Sequence, residues 1–350
     1  MLAGLTRREL LDLAVTAAGV AAAAIVSLVH APSVARFVVA AVALALLARV
    51  VGAATEQLGG RLGSGTAGTV QSALANLPEL FVALFALHHG LTLVVQAALV
   101  GSILSNNLLV LGLAFAAGGI RHGTQEFHSS RARMTATLTM LGAATLSVPT
   151  FAHVLHAPAA AHARTLSLIC AAVLLAVYLA TLPTYLERGE GEMHEPTRWP
   201  LVTTVVVLAA AAVGAVFVSD WFVTALKPAI VTLHMSQSFA GLVVVAIAGN
   251  AVENVVGIQL ATRNRSDFAV SVIVSSSLQV ALALTPVIVF VSHAFATSLT
   301  LVFPTLLAVA LLLAAVVGAL VVYDAESTWP EGVVLVGLYV VIAASFWWGS

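Results

Sequence analysis

The chain has 350 residues, 61% of them hydrophobic and only 8% charged, with a net charge of −1 and a mean hydropathy of +1.07. A soluble domain carries about 25% charged residues, so this is the composition of an integral membrane protein embedded in a lipid bilayer. The absence of a basic patch excludes nucleic acid as a partner, and the single cysteine, Cys170, excludes an intrachain disulfide.

In chain order, apolar stretches separated by short polar breaks predict an all-α polytopic fold of about eleven transmembrane helices. They fall at 11–30, 34–54, 66–88, 92–119, 132–152, 164–185, 199–219, 238–261, 267–292, 299–322 and 332–348. Each has at least the roughly 17 residues that a hydrocarbon core of about 30 Å requires. The first follows Arg7 and Arg8 and superficially resembles a signal peptide. It runs on to His30 without a cleavage-like sequence, so it reads as a retained span.

Eleven spans starting from a cytoplasmic N-terminus place Arg7, Arg8, Arg49, Arg61, Arg121, Arg131, Arg133, Arg188, Arg198, Arg263 and Arg265 inside. Only Arg36, Arg164 and Lys227 fall outside. That asymmetry predicts a cell (inner) membrane protein with its N-terminus in the cytoplasm and its C-terminus outside.

Two acidic residues lie deep within apolar stretches, Glu79 in ANLPELFVAL and Glu253 in AGNAVENVVG. A carboxylate at mid-bilayer costs about 2.5–3.5 kcal/mol on insertion scales and marks function by default. Both stand three residues after an asparagine, Asn76 or Asn250, and both pairs are separated by 174 positions. The same offset pairs Ser102 with Ser276 and Ser105 with Gln279. A fixed offset indicates internal duplication. The domains expected are an N-terminal helix (1–33), a first five-helix repeat (34–186), a cytoplasmic linker (187–198) and a second five-helix repeat (199–350). Five is odd, so the second copy enters the membrane inverted, an arrangement characteristic of secondary transporters that bind substrate at the midplane.

Residues i and i+3 share a helix face, so each asparagine accompanies its glutamate. Pro78 and Gly249 loosen the backbone beside them. Amide oxygens, freed carbonyls and two carboxylates form an all-oxygen set suited to a hard cation such as Ca²⁺. Ser102, Ser105, Asn106, Ser276 and Gln279 add polar groups from the following helices, while Ser275 and Ser277 suit close helix packing. Two carboxylates in a dry cavity cannot both stay charged alone, and either one divalent cation or two protons neutralises them. Competition for the same side chains is then antiport.

At these residues the chain resembles the calcium/proton antiporters of the cation/calcium exchanger superfamily. The blocks VVQAALVGSILSNNLLVLGLAFAAGGIRHGTQEF, GLVVVAIAGNAVENVVGIQLATRNRSDFAVSVIVSSSLQVALALTPVIV and DAESTWPEG carry the likeness. The resemblance implies one helix plus two inverted five-helix repeats, with Glu79 and Glu253 as essential cation-binding residues. By the same likeness, Asn76, Asn250, Ser102, Ser105, Asn106, Ser276 and Gln279 are its supporting polar positions. The family's usual Gly-Asn-Ala-Thr-Glu is Ala75-Asn76-Leu77-Pro78-Glu79 here, and Ser275 replaces a usual glycine. These departures bear on cation selectivity rather than fold.

The expected function is export of Ca²⁺ from the cytoplasm in exchange for H⁺, with Ca²⁺ as cargo and no resident cofactor. A homo-oligomer is compatible with it. The alternatives are a Na⁺-coupled or monovalent cation/H⁺ exchanger on the same fold and, in a different class, a passive cation channel. No Ser/His, Cys/His or HExxH arrangement occurs within a span, so an enzyme is not expected. Glu56 reads as a span-end residue, Asp220 and Asp267 as helix-end residues near water, and Trp347 and Trp348 as an interfacial belt.

Overall fold

A computed structural model describes residues 5–59, 61, 74, 76–127, 130–187, 198–295 and 298–349. The described elements are α1 (Arg7–Leu28), α2 (Ser33–Gly59), α3 (Leu77–His88), α4 (Thr92–Leu104), α5 (Leu111–His122), α6 (Ser130–Val154), α7 (Ala163–Glu187) and α8 (Leu201–Thr232). There follow α9 (Gln237–Phe239), α10 (Ala246–Gly249), α11 (Ala251–Thr262), α12 (Ser266–Gln279), α13 (Thr285–Ser292), α14 (Thr305–Asp324) and α15 (Trp329–Ser345). Three π-helical stretches interrupt them: π1 (Ser105–Val110), π2 (Ala240–Val245) and π3 (Val280–Leu284).

By length and apolarity, seven of the described helical stretches can cross a membrane, or eight if the bent pair Gln237–Gly249 and Glu253–Thr262 is one span. That pair bends by 65° at the Asn250 break. The other expected spans coincide with helices that are apolar but short, Leu77–His88 and Trp329–Ser345, or with Ser130–Val154, which is long but carries Arg133 and five threonines. Much of the expected 66–88 span, and residues 188–197 of the linker, lie outside the described residues.

The chain divides into two compact units, Met1–His89 with Leu179–His234, and Gly90–Tyr178 with Met235–Ser350. In the first, α2 lies along α8 and α1, and α3 packs on α8. Phe37 stacks on Phe222 at 5.0 Å between ring centres. At one end Arg49 pairs with Asp12 at 2.7 Å. Gln57 Oε1 accepts from the backbone N–H groups of Arg198 and Trp199 at 2.9 and 3.2 Å. α8 runs 32 residues, past the expected end at 219, so Asp220 and Lys227 lie within a helix rather than beyond its end. The helix continues because Trp221–Leu226 is as apolar as what precedes it, and Pro228 interrupts it only locally.

In the second unit small residues bring backbones together. A side chain on Gly101 of α4 would collide with the backbone of Leu242, and one on Gly241 of π2 with the Val94 carbonyl. Gly112 of α5 and Gly332 of α15 meet in the same way. Close approach through small residues is how helices associate in lipid, where apolar burial supplies no drive. A two-residue antiparallel pairing, Gln125 with Ser327 and Glu126 with Glu326, ties the loops after α5 and α14.

The expected span at 299–322 begins late, because 298–304 is an extended strap and Pro304 opens α14. Its polar backbone is satisfied by side chains. The N–H groups of Leu299, Leu301 and Phe303 donate to Ser292 Oγ, Ser167 Oγ and Thr150 Oγ1, each at 2.9 Å. Gln96 Nε2 donates to the carbonyls of Thr300 and Val302, both at 2.9 Å. Irregular backbone at membrane depth persists only when protein satisfies it in this way.

Candidate functional site

Both glutamates sit in the first turn of a helix opened by the asparagine of the same motif. In the first unit Asn76 precedes α3 with φ −89° and ψ 9°, Pro78 lies in the opening turn, and Glu79 is 7% exposed. In the second unit Asn250 precedes α11 with φ −101° and ψ 19°, and Glu253 is half-buried in the first turn. The first helical bond is the same in each, Leu80 N–H to the Asn76 carbonyl at 2.9 Å and Asn254 N–H to the Asn250 carbonyl at 3.0 Å. A helix N-terminus presents unpaired N–H groups and a partial positive charge, which favours a carboxylate in its first turn.

Asn250 does more than share a face with Glu253. Its Nδ2 donates to Ser102 Oγ at 2.9 Å and to the Ala246 carbonyl at 3.0 Å, and its Oδ1 accepts from Ser276 Oγ at 3.4 Å. Asn106 Nδ2 in turn donates to Ser276 Oγ at 3.0 Å. The two serines related by the 174 offset are thus joined through one amide inside the second unit. Ser102, Asn106, Asn250 and Ser276 are at most 6% exposed, so this network is dry. Buried, fully paired amide–hydroxyl chains hold their members rigidly.

Ser105 is completely buried, and its Oγ finds no hydrogen-bond partner among the described residues. Gln279 is half-buried at the end of α12, immediately before π3. Ser105 opens π1, and the 174 offset carries π1 onto 279–284, where π3 spans Val280–Leu284. A π turn displaces the following residues around the helix axis and is frequent at functional positions. Asn76 and Glu79 belong to the first unit, and the remaining candidates to the second.

Asn107 escaped the sequence reading. Asn107 Oδ1 accepts from Ser277 Oγ at 2.8 Å, with both side chains buried. Its side chain occupies the space that Gly318 leaves on α14. The signal was the asparagine doublet at 106–107, of which the sequence reading took only Asn106. Among the described residues no three His, Cys, Asp or Glu side chains come together as a metal cluster.

A family model described as "Sodium/calcium exchanger protein" matches residues 32–184 and 203–348. The chain is 34% identical over 341 residues to the Ca²⁺/H⁺ antiporter ChaA of Bacillus subtilis (strain 168), covering 94% of this chain and 97% of that protein. It is 32% identical to a Ca²⁺/H⁺ antiporter of Synechocystis sp., over 89% of this chain and 90% of that one. Among solved structures, native YfkE superposes with a TM-score of 0.83 at 33% identity, covering 96% of this chain and 99% of its own. The H⁺/Ca²⁺ exchanger CAX shares the fold with a TM-score of 0.78 at 15% identity, over 97% of this chain and 92% of its own. With two long segments matched by one model and identity above 30% along nearly the full length, the chain belongs to the sodium/calcium exchanger protein family.

Proposed function

We propose that this chain is a secondary active antiporter that exports Ca²⁺ from the cytoplasm in exchange for H⁺. The observation that carries the reading is the repeated first-turn glutamate behind an asparagine at a helix break, on a chain whose relatives are named Ca²⁺/H⁺ antiporters. Glu79 and Glu253 are the carboxylates for which Ca²⁺ and protons compete. Asn76, Asn250, Ser102, Ser105, Asn106, Ser276 and Gln279 supply neutral oxygens or hold the helix breaks in place.

The finer architecture belongs to the same proposal: eleven spans arranged as one helix plus two inverted five-helix repeats, with alternating access about a midplane site. The two separate family-model matches, 32–184 and 203–348, support it, as does the near-coincidence of π1 and π3 at the 174 offset. The distribution of the fourteen basic residues supports a cytoplasmic N-terminus.

The test is Ca²⁺-driven proton movement in everted vesicles, for the natural chain and for Glu79→Gln and Glu253→Gln. Each substitution keeps the side-chain size and removes the exchangeable charge, and is expected to abolish coupled transport. Ca²⁺ uptake that ignores the pH gradient, or that follows a sodium gradient instead, overturns the proton-coupled reading.

A further inference from the structure

Asn250, Asn254, Gly257 and Ala261 recur at helical spacing along α11 and so share one face. Asn250 and Ala261 are 1% and 3% exposed, and a side chain on Gly257 would press against Ile273 and Val110. This face therefore looks into the second unit, towards α12 and π1. Asn254 lies in the middle of it, one turn beyond Asn250 and beside Glu253 in sequence. The neighbouring amide of Asn250 is tied to Ser102 and Ser276, and that of Asn107 accepts from Ser277. Asn254 Oδ1 is equally inaccessible to solvent but has no hydrogen-bond partner among the described residues. An amide oxygen left in this way is costly and calls for an explanation.

The offset that matches the two motifs places Leu80 opposite Asn254, so this oxygen exists in one copy of the motif only. It is hard, neutral and untitratable, belongs to the residue that follows Glu253 in sequence, and has no partner among the described residues. Ca²⁺ takes six to eight oxygen ligands, asparagine carbonyls among them. We propose that Asn254 Oδ1 is a cation ligand beside Glu253, a selectivity-determining oxygen that favours a divalent cation without adding a proton site. The second motif then offers a carboxylate and a neutral oxygen, where the matching position of the first carries an apolar leucine.

The inference rests on the Ca²⁺/H⁺ reading, and the experiment separates the two. Purified full-length protein is titrated with Ca²⁺ by calorimetry in two buffers of different protonation heat, then reconstituted in vesicles for Ca²⁺ uptake. A natural chain that neither binds Ca²⁺ nor releases protons defeats the functional reading itself. If it does both, Asn254→Leu is expected to raise Kd and KM for Ca²⁺ by about tenfold with little change in kcat. Asn254→Asp is expected to restore the KM and to steepen its pH dependence by adding a titratable oxygen. Asn254→Ser replaces the leucine variant if that does not yield folded protein. Unchanged Kd and KM in a folded Leu or Ser variant overturn the assignment, as does a loss confined to kcat and thermal stability.

Discussion

Asn250 is the residue that ties together the buried polar network of the second unit. Its side chain hydrogen-bonds Ser102, Ala246 and Ser276, each a buried partner. Asn250→Ala leaves buried polar groups unpaired, at roughly 1–3 kcal/mol for each group not rescued by rearrangement. Thermal unfolding of the purified protein is expected to show a clear fall in Tm, larger than that of Ser102→Ala, which removes one partner only. A second expectation concerns pH. Cation ligands must be deprotonated, so on the proposed reading acidification withdraws Glu79 and Glu253 from Ca²⁺. The sign is a rising KM as pH falls, steepening towards about tenfold per pH unit for each proton displaced. Initial uptake rates measured across a pH series check this, and a flat profile contradicts direct competition. The glutamates and asparagines were legible in the sequence because a charge within an apolar stretch is conspicuous. Asn254 and Asn107 were not, since an ordinary-looking amide differs from an important one only in what its oxygen faces.

At the scale of elements, glycine positions divide into those under contact and those in open space. Gly101 and Gly241 lie where α4 and π2 meet backbone to backbone, whereas Gly52 in α2 and Gly337 in α15 have nothing within 4 Å of a built side chain. Gly101→Ala and Gly241→Ala are expected to destabilise by about 1–3 kcal/mol or more, as overpacking does. Gly52→Ala and Gly337→Ala are expected to be neutral or to stabilise by up to about 1 kcal/mol through helix propensity. Thermal stability in one detergent distinguishes the two pairs. The positions of the seven membrane-capable helices could be read from hydropathy, because lipid demands long apolar stretches. The π stretches, the 65° bend and the strap could not, because the leucines, valine and phenylalanine of SLTLVFP run on into the apolar helix that follows. Asp220 was misplaced for a related reason: a polar Ser-Asp pair ends an apolar window without ending a helix.

For the molecule as a whole, the sequence speaks through sums rather than single residues. On the proposed spans the fourteen basic residues divide eleven to three, an asymmetry that supports an orientation no individual arginine could. The lone, buried Cys170 makes that orientation testable, since Cys170→Ala leaves a cysteine-free background. In that background Gly349→Cys is expected to react with an impermeant maleimide applied to intact cells, and Arg263→Cys only after the membrane is opened. The reverse pattern overturns the proposed topology. The family membership rests on the same scale, two matched segments that together cover most of the chain.

The strap at 298–304 bears on how such a chain is made. An extended stretch released into hydrocarbon with bare amides would lose several kcal/mol per unpaired group. Its partners, Gln96, Thr150, Ser167 and Ser292, all precede it in the chain. A ribosome working from the N-terminus has therefore delivered every side chain that will receive this stretch before the stretch itself emerges. Threading the strap first, as a circular permutant beginning near residue 295 would, reverses that order and presents the bilayer with a backbone that has nowhere to bond.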